Sequence, residues 1–323
     1  MQQQGREIKM SKKITIIGAG SVGAAIGYTI AIKGLAPEVV FIDVAEEKAK
    51  GEAMDIYQGT SFCTPIELKA GGYADAEGSD VVVITSGLPR KSGQDRLELA
   101  QTNVNIIKQI APQIVKYAPD AMYIIVSNPV DITTYAFTKI SGIPENHIVG
   151  SGTLLDTARL QTALAERLVI NPKNVHAYVM GEHGGSSFIP WSIANVAGVN
   201  VSELGQADAY SGKNIELDLD EIEKFVRSSG STIIARKGYT NYAIAICVCH
   251  LIECLSNYDN AVCAVSTLMH GEYGIDDVCL SVPCVLGPGG VKGKILAHMK
   301  DSEMAKLRSS ARTLRGVLEN IEI

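Results

Sequence analysis

The 323 residues carry a formal net charge of −6, with 46% hydrophobic and 20% charged side chains, five Phe and one Trp. This composition belongs to the soluble globular class rather than to disordered or fibrous chains, and the length suffices for two domains that share an interface. The acidic balance argues against a nucleic-acid partner, because no basic stripe is present to displace counterions from phosphates.

The opening MQQQGREIKM lacks the apolar core of a signal peptide, and no run reaches the roughly 18 apolar residues of a membrane span. A cytoplasmic protein without a membrane partner is expected. KKITIIGAG reads as a β-branched strand stopping at glycine, and SVGAAIGYTIAIKG as an Ala-rich helix ending at Gly34. EVVFIDV is a second buried strand, EEKAKGEAMDIYQG a helix, DVVVITSG a strand and RLELAQTNVNIIKQIAPQIVKYAP a long helix. AMYIIVSNPVD and HIVGSG supply two more strands. Near-continuous apolar strands alternating with helices predict an α/β fold, a doubly wound parallel Rossmann sheet over residues 11–150.

The rhythm changes after Gly152. LLDTARLQTALAERL is a helix, VHAYVMG a strand, DLDEIEKFVRSSGSTIIARKG and NYAIAICVCHLIECLSN helices, AVCAVSTLM and DVCLSVPCVLG antiparallel strands, and an amphipathic helix runs from about Asp301 to Asn320. Residues 151–323 therefore read as an α+β substrate domain packed directly on the first. The seven cysteines (63, 247, 249, 254, 263, 279, 284) are odd in number and lack zinc-type paired spacing, so free thiols and no metal are expected.

Gly18, Gly20 and Gly23 form G-x-G-x-x-G between a strand and a helix, and Asp43 ends the second strand 20 residues after Gly23. The glycines allow a tight turn, close approach of backbone amides to a pyrophosphate, and close helix packing; the helix N-terminus adds partial positive charge. A carboxylate at 43 accepts ribose hydroxyls and repels a 2′-phosphate, so NAD is expected rather than NADP. Ser21, Val22, Thr85, Gly87 and Asn128 complete the expected cofactor-binding set.

GEHGGSS places His183 between glycines after an apolar strand, and SGTLLDTAR offers Asp156 and Arg159 three apart on one helical face. A carboxylate fixes an imidazole's tautomer and stabilises its protonated form, while a guanidinium grips a carboxylate with two parallel hydrogen bonds. Spacing alone does not establish that the three groups meet.

IIGAGSVGAAIG, SNPVD, GSGTLLDTARLQ and GEHGGSSFIPWS, in this order and separation, resemble the lactate/malate dehydrogenase family from about residue 12 to the C-terminus. The resemblance implies a homotetramer or dimer that moves a hydride between C4 of nicotinamide and C2 of an L-2-hydroxy acid. It makes His183 the proton donor and acceptor, Asp156 its orienting carboxylate, Arg159 the clamp on the substrate carboxylate and Asn128 a hydrogen-bonding residue beside substrate and nicotinamide. Thr240 in KGYTNY joins the substrate-binding set, as in the lactate enzymes. Arg96 matches the lid arginine that polarises the substrate carbonyl, stabilising charge that develops in the transition state.

In the same register Arg90 falls at the position that sets the acid, where lactate enzymes usually carry Gln and malate enzymes Arg. Enclosing a guanidinium without an anionic mate costs about 2 to 5 kcal/mol, or roughly 30- to 5,000-fold in discrimination. Gln94 and Gly185 replace acidic residues common in the lactate enzymes, removing charges that would repel a dicarboxylate. The loop therefore predicts malate and oxaloacetate, with lactate and pyruvate, or a broader range of 2-hydroxy acids, as alternatives; the framework motifs are closer to the lactate enzymes. Sugar-bisphosphate-activated members resemble the chain at His176, but their second interfacial Arg is Gln161 here, so no strong activation by fructose 1,6-bisphosphate is expected. The NAD-dependent glycosidases need a Cys/His-bound metal that the sequence does not suggest. A non-catalytic NAD-binding structural or sensor protein would not require Arg96, Asp156, Arg159 and His183 together.

Overall fold

In a computed structural model, the structure describes residues 13–89, 96–204, 206–207, 214–215, 217–257 and 260–323. The first half runs β1 (Lys13–Ile17), α1 (Ser21–Lys33), β2 (Glu38–Ile42), α2 (Glu46–Gly59), β3 (Glu67–Ala70), β4 (Val81–Ile84), α3 (Arg96–Tyr117), β5 (Met122–Ile125), α4 (Val130–Ser141) and β6 (Ile148–Gly150). These six strands are parallel, in the order β3-β2-β1-β4-β5-β6. The apolar runs have the reason foreseen: β4 and β5 are buried along their whole length, with helices covering both faces.

The second half supplies α5 (Leu154–Leu168), β7 (Val175–His176), β8 (Asn195–Val196), β9 (Val199–Asn200), β10 (Gln206–Ala207), β11 (Asn214–Ile215), α6 (Leu219–Lys237), α7 (Tyr242–Ser256), β12 (Ala261–His270), β13 (Asp276–Gly287), β14 (Gly290–Lys294) and α8 (Asp301–Leu318). β12 and β13 form the expected antiparallel pair, with a register shift between Leu268 and His270. They join the parallel sheet through Ser266 of β12 opposite Gly150 of β6, giving nine strands in one sheet. A second apolar cluster, including Leu160, Leu164, Val175, Val179, Ile222 and Val226, lies beneath α5, α6 and the small β7-β8-β9 sheet.

Three departures from the sequence reading bear on the site. α4 was not expected, because ITTYAFT is rich in β-branched and aromatic residues that favour strands. Burial overrides that preference: Ile132, Thr133, Thr134, Ala136 and Phe137 are all enclosed, and the hydroxyls of Thr134 and Thr138 donate back to the carbonyls of Val130 and Thr134. VHAYVMG contracts to the two residues of β7 followed by an isolated pairing of Met180 with Phe188. β3 and β14 also join the sheet without having been expected. Among the described residues, no helix is long and apolar enough to cross a membrane.

Candidate active site

Two clefts open at the carboxyl ends of the parallel strands. The larger, about 920 Å³, is lined by Gly18, Gly20, Asp43, Thr85 and Gly87 among others. Gly18 has φ +105°, and a Cβ on Gly23 would stand 1.8 Å from the Gly18 carbonyl oxygen, so the turn and the α1 contact both require glycine. The Cβ direction of Gly20 is open, with no atom within 4 Å. Gly20 caps α1 without a side-chain hydrogen bond, and the first turn, which includes Ser21, contains no acidic residue. Its amide groups and the positive end of the helix dipole are thus suited to an anion.

The Asp43 carboxylate accepts the backbone N–H groups of Ala19 (2.6 Å) and Ala45 (2.8 Å), which hold it at the cleft edge with lone pairs remaining for ribose hydroxyls. The Thr85 hydroxyl donates to the carbonyls of Gly18 (2.9 Å) and Ile17 (3.2 Å). Its part in the cleft is to fix the glycine turn. These residues fit a dinucleotide: an uncapped helix end for phosphates, a carboxylate for ribose and a cleft large enough for both.

The second cleft, about 420 Å³, brings together Asn128, Asp156, Arg159, His183 and Thr240, with Val22 at its wall. It joins residues from Val22 to Ile244 because strand ends and helix starts converge there. The His183 loop is fixed from three sides. Gly181 exchanges backbone hydrogen bonds with Ser281 of β13 (2.9 and 3.0 Å), Ser310 of α8 accepts the Glu182 N–H (2.7 Å), and Asp131 of α4 accepts the His183 N–H (2.7 Å). Thr153, ahead of α5, donates its N–H to the Ser281 hydroxyl (3.0 Å) and its hydroxyl to the Val179 carbonyl (2.5 Å), setting the helix that carries Asp156 and Arg159.

His183 Nδ1 lies 2.6 Å from Asp156 Oδ2, and Arg159 Nη1 donates to Asp156 Oδ1 at 2.9 Å. With a carboxylate as partner, Nδ1 carries the proton, which leaves Nε2 for a substrate. Burial would lower the His183 pKa, but the Asp156 charge and hydrogen bond outweigh it and raise the value above the ordinary 6.5. Burial would raise that of Asp156, and His183 and Arg159 outweigh it to hold the carboxylate below 3.8. The pair therefore favours an imidazolium beside a carboxylate, with the rest of a guanidinium at hand.

Two residues outside the sequence-based set support the clefts. Asp131 is buried and accepts both the His183 N–H and the Ser266 hydroxyl (2.6 Å); burial pushes its carboxyl up to about 6 despite those bonds. It is the last letter of SNPVD, which read as the end of a strand. Asn103 on α3 is also buried; its side chain bonds the Leu88 N–H (2.8 Å), the Leu88 carbonyl (3.1 Å) and the Asn128 carbonyl (2.7 Å), pinning the segment after β4 to SNP. A buried polar residue on an apolar helix face was its only signal. Arg90 and Gln94 lie outside the described residues, and Arg96 opens α3. Gly185 lines the acid cleft beside His183.

Comparison with known proteins agrees with this geometry. Residues 12–150 match the family profile of the lactate/malate dehydrogenase NAD binding domain, and residues 153–322 that of the lactate/malate dehydrogenase alpha/beta C-terminal domain. The chain is 43% identical to L-lactate dehydrogenase 1 of Clostridium acetobutylicum over 315 residues, 97% of this chain and 100% of that protein. It is 40% identical to the L-lactate dehydrogenase of Acetivibrio thermocellus, over 98% of this chain and 99% of the relative. Among solved structures, the minor L-lactate dehydrogenase of Enterococcus mundtii superposes with a TM-score of 0.91 at 34% identity, covering 98% of this chain and 100% of that one. A lactate dehydrogenase from a Medee basin deep-sea metagenome library gives the same TM-score and identity over 96% and 99%. A Rossmann half that takes NAD, joined to an acid cleft built around one histidine, thus makes this chain a member of the lactate/malate dehydrogenase family and an NAD-dependent dehydrogenase.

Proposed function

We propose that the chain interconverts L-lactate and pyruvate. The observation that carries the 2-hydroxy acid chemistry is the His183–Asp156–Arg159 cluster in one cleft, with hydrogen bonds of 2.6 and 2.9 Å. The named relatives at 40–43% identity favour lactate as the acid. Bound NAD supplies or receives the hydride at its nicotinamide C4. Arg159 binds the substrate carboxylate through the donors that Asp156 leaves unused. His183 Nε2 gives its proton to the ketone oxygen as C2 gains the hydride and takes it back in the reverse direction, while Asp156 stabilises the imidazolium. Asn128 and Thr240 orient the acid, and Arg96 stabilises the charge that develops on the ketone oxygen.

A second reading, malate and oxaloacetate, is favoured by Arg90, the third residue after Gly87. The two separate in steady-state rates with pyruvate and oxaloacetate, measured side by side for the wild type and Arg90→Gln. The lactate reading expects the wild type to prefer pyruvate and the variant to leave pyruvate kcat/KM nearly unchanged. A wild-type preference for oxaloacetate that falls roughly 30- to 5,000-fold in the variant would establish the malate reading instead.

A further inference from the structure

Away from both clefts, three side chains that the sequence keeps apart converge. His250 and Cys254 stand four residues apart on one face near the end of α7, and β12 brings Cys263 against them. Cys254 Sγ lies 3.5 Å and Cys263 Sγ 3.8 Å from His250 Nε2, and one ligand atom from each residue falls within 4.8 Å of the other two. Among the described residues this is the one His, Cys, Asp and Glu group of three or more so arranged.

Tetrahedral zinc holds thiolate sulfur at about 2.3 Å and imidazole nitrogen at about 2.0–2.1 Å, which sets neighbouring sulfur and nitrogen corners about 3.5 Å apart. The two sulfur-to-nitrogen separations match such corners to within a few tenths of an ångström. Both cysteines are buried free thiols, whereas the His250 side chain is 51% exposed, so an ion can enter from solvent and keep a water in the fourth position. Donor chemistry agrees: two soft sulfurs and an imidazole suit zinc-class cations, not calcium or magnesium. The spacing His250-x3-Cys254-x8-Cys263 is not a zinc-type pair, and only the packing of β12 beside the end of α7 brings the three together.

We propose that His250, Cys254 and Cys263 form a binding site for a thiophilic divalent cation of the zinc class. Binding releases one proton from each thiol to solvent, and the two thiolates neutralise the ion without any change of oxidation state. The ion ties the end of α7 to the start of β12 and takes no part in hydride transfer. α7 carries Ile244 of the acid cleft near its other end, so the clip steadies a helix that borders the site.

The test uses the reduced, metal-free full-length protein titrated with Co²⁺ under anaerobic conditions. One equivalent is expected to produce sulfur-to-cobalt charge-transfer absorption and tetrahedral visible bands, both displaced by Zn²⁺, and Zn²⁺ alone is expected to raise Tm. His250→Ala and Cys263→Ser should each lose the bands and the Tm shift while keeping basal turnover; His250 is exposed enough for its variant to fold. Cys63→Ser, a control outside the cluster, should keep both. Absence of Co²⁺ uptake by the wild type, survival of the bands in His250→Ala, or their loss in Cys63→Ser would each overturn the proposal.

Discussion

The backbone N–H of His183 donates to the buried carboxylate of Asp131 at 2.7 Å, so a helix of the dinucleotide half holds the loop that carries His183. The second oxygen of Asp131 takes the Ser266 hydroxyl from β12, where the two halves of the sheet join.

Asp131→Ala is expected to leave both donors unpaired and to cost about 1–3 kcal/mol per buried group, read in urea unfolding, with a fall in kcat as the His183 loop loosens. Asp131→Asn keeps an acceptor for His183 and should behave differently with pH. A carboxyl raised to about 6 in the fold contributes stability that is complete below its unfolded value near 3.8 and is lost as pH rises through 6. Relative to Asp131→Asn, the wild type should therefore lose up to about 3 kcal/mol between pH 4 and pH 7.5; parallel pH profiles for the two proteins would refute this.

On the proposed function, reduction of the 2-oxo acid requires protonated His183, and oxidation of the hydroxy acid requires the neutral ring. Because Asp156 raises the His183 pKa, kcat/KM for reduction should stay level through pH 6.5 and fall tenfold per pH unit only above the raised value. Asp156→Asn should move that fall to lower pH and reduce the plateau by roughly 10²- to 10⁴-fold. His183→Ala should lose turnover while still binding NADH, measured by nucleotide fluorescence. The pairing also stabilises the fold with opposite limits. The His183 contribution is complete below about 6.5 and lost as pH rises through its raised value; that of Asp156 is present above about 3.9 and lost as pH falls through its lowered one.

Gly23→Ala would place a methyl group 1.8 Å from the Gly18 carbonyl, against backbone that cannot move without opening the turn. Overpacking of this kind costs about 1–3 kcal/mol, and the NADH Kd should rise with the loss of Tm. Asp43→Ser removes the carboxylate that Ala19 and Ala45 hold at the cleft edge, and is expected to lower the preference for NADH over NADPH, read as the ratio of kcat/KM values.

Fructose 1,6-bisphosphate is expected to change the KM for the 2-oxo acid by less than the roughly fivefold that marks modest allosteric coupling. Gln161 lies against the segment that follows β7, its amide donating to the Ala177 carbonyl at 3.4 Å, and offers no charge to a phosphate. A many-fold drop in KM during titration with the ligand would refute this.

The doubly wound sheet was legible because its parallel strands other than β3 are buried almost throughout and therefore spelled in consecutive apolar letters, as VVVI and MYII are; β3, ELKA at the sheet edge, is half exposed and carried no such signal. The cofactor turn was legible because Gly18 must take a positive φ and Gly23 must let α1 approach the Gly18 carbonyl, two demands met within six residues. α4 was not, since its Thr and Ile residues are tolerated in a helix only through burial and back-bonding that no local pattern shows. His183, Asp156 and Arg159 were recognisable from residue type and resemblance, but their meeting depends on Ser281, Ser310 and Asp131, which are 98, 127 and 52 positions from His183. Such supports are ordinary polar letters until the chain is folded.

The pairing of Gly150 with Ser266 makes a single beam of what family comparison divides in two. The cleft of Gly18 and Asp43 and the cleft of His183 are consequently borne by one continuous sheet. On the proposed function, the spacing between nicotinamide and acid is then set by the sheet, and substitutions in the segments laid over it should retune turnover without disturbing that spacing.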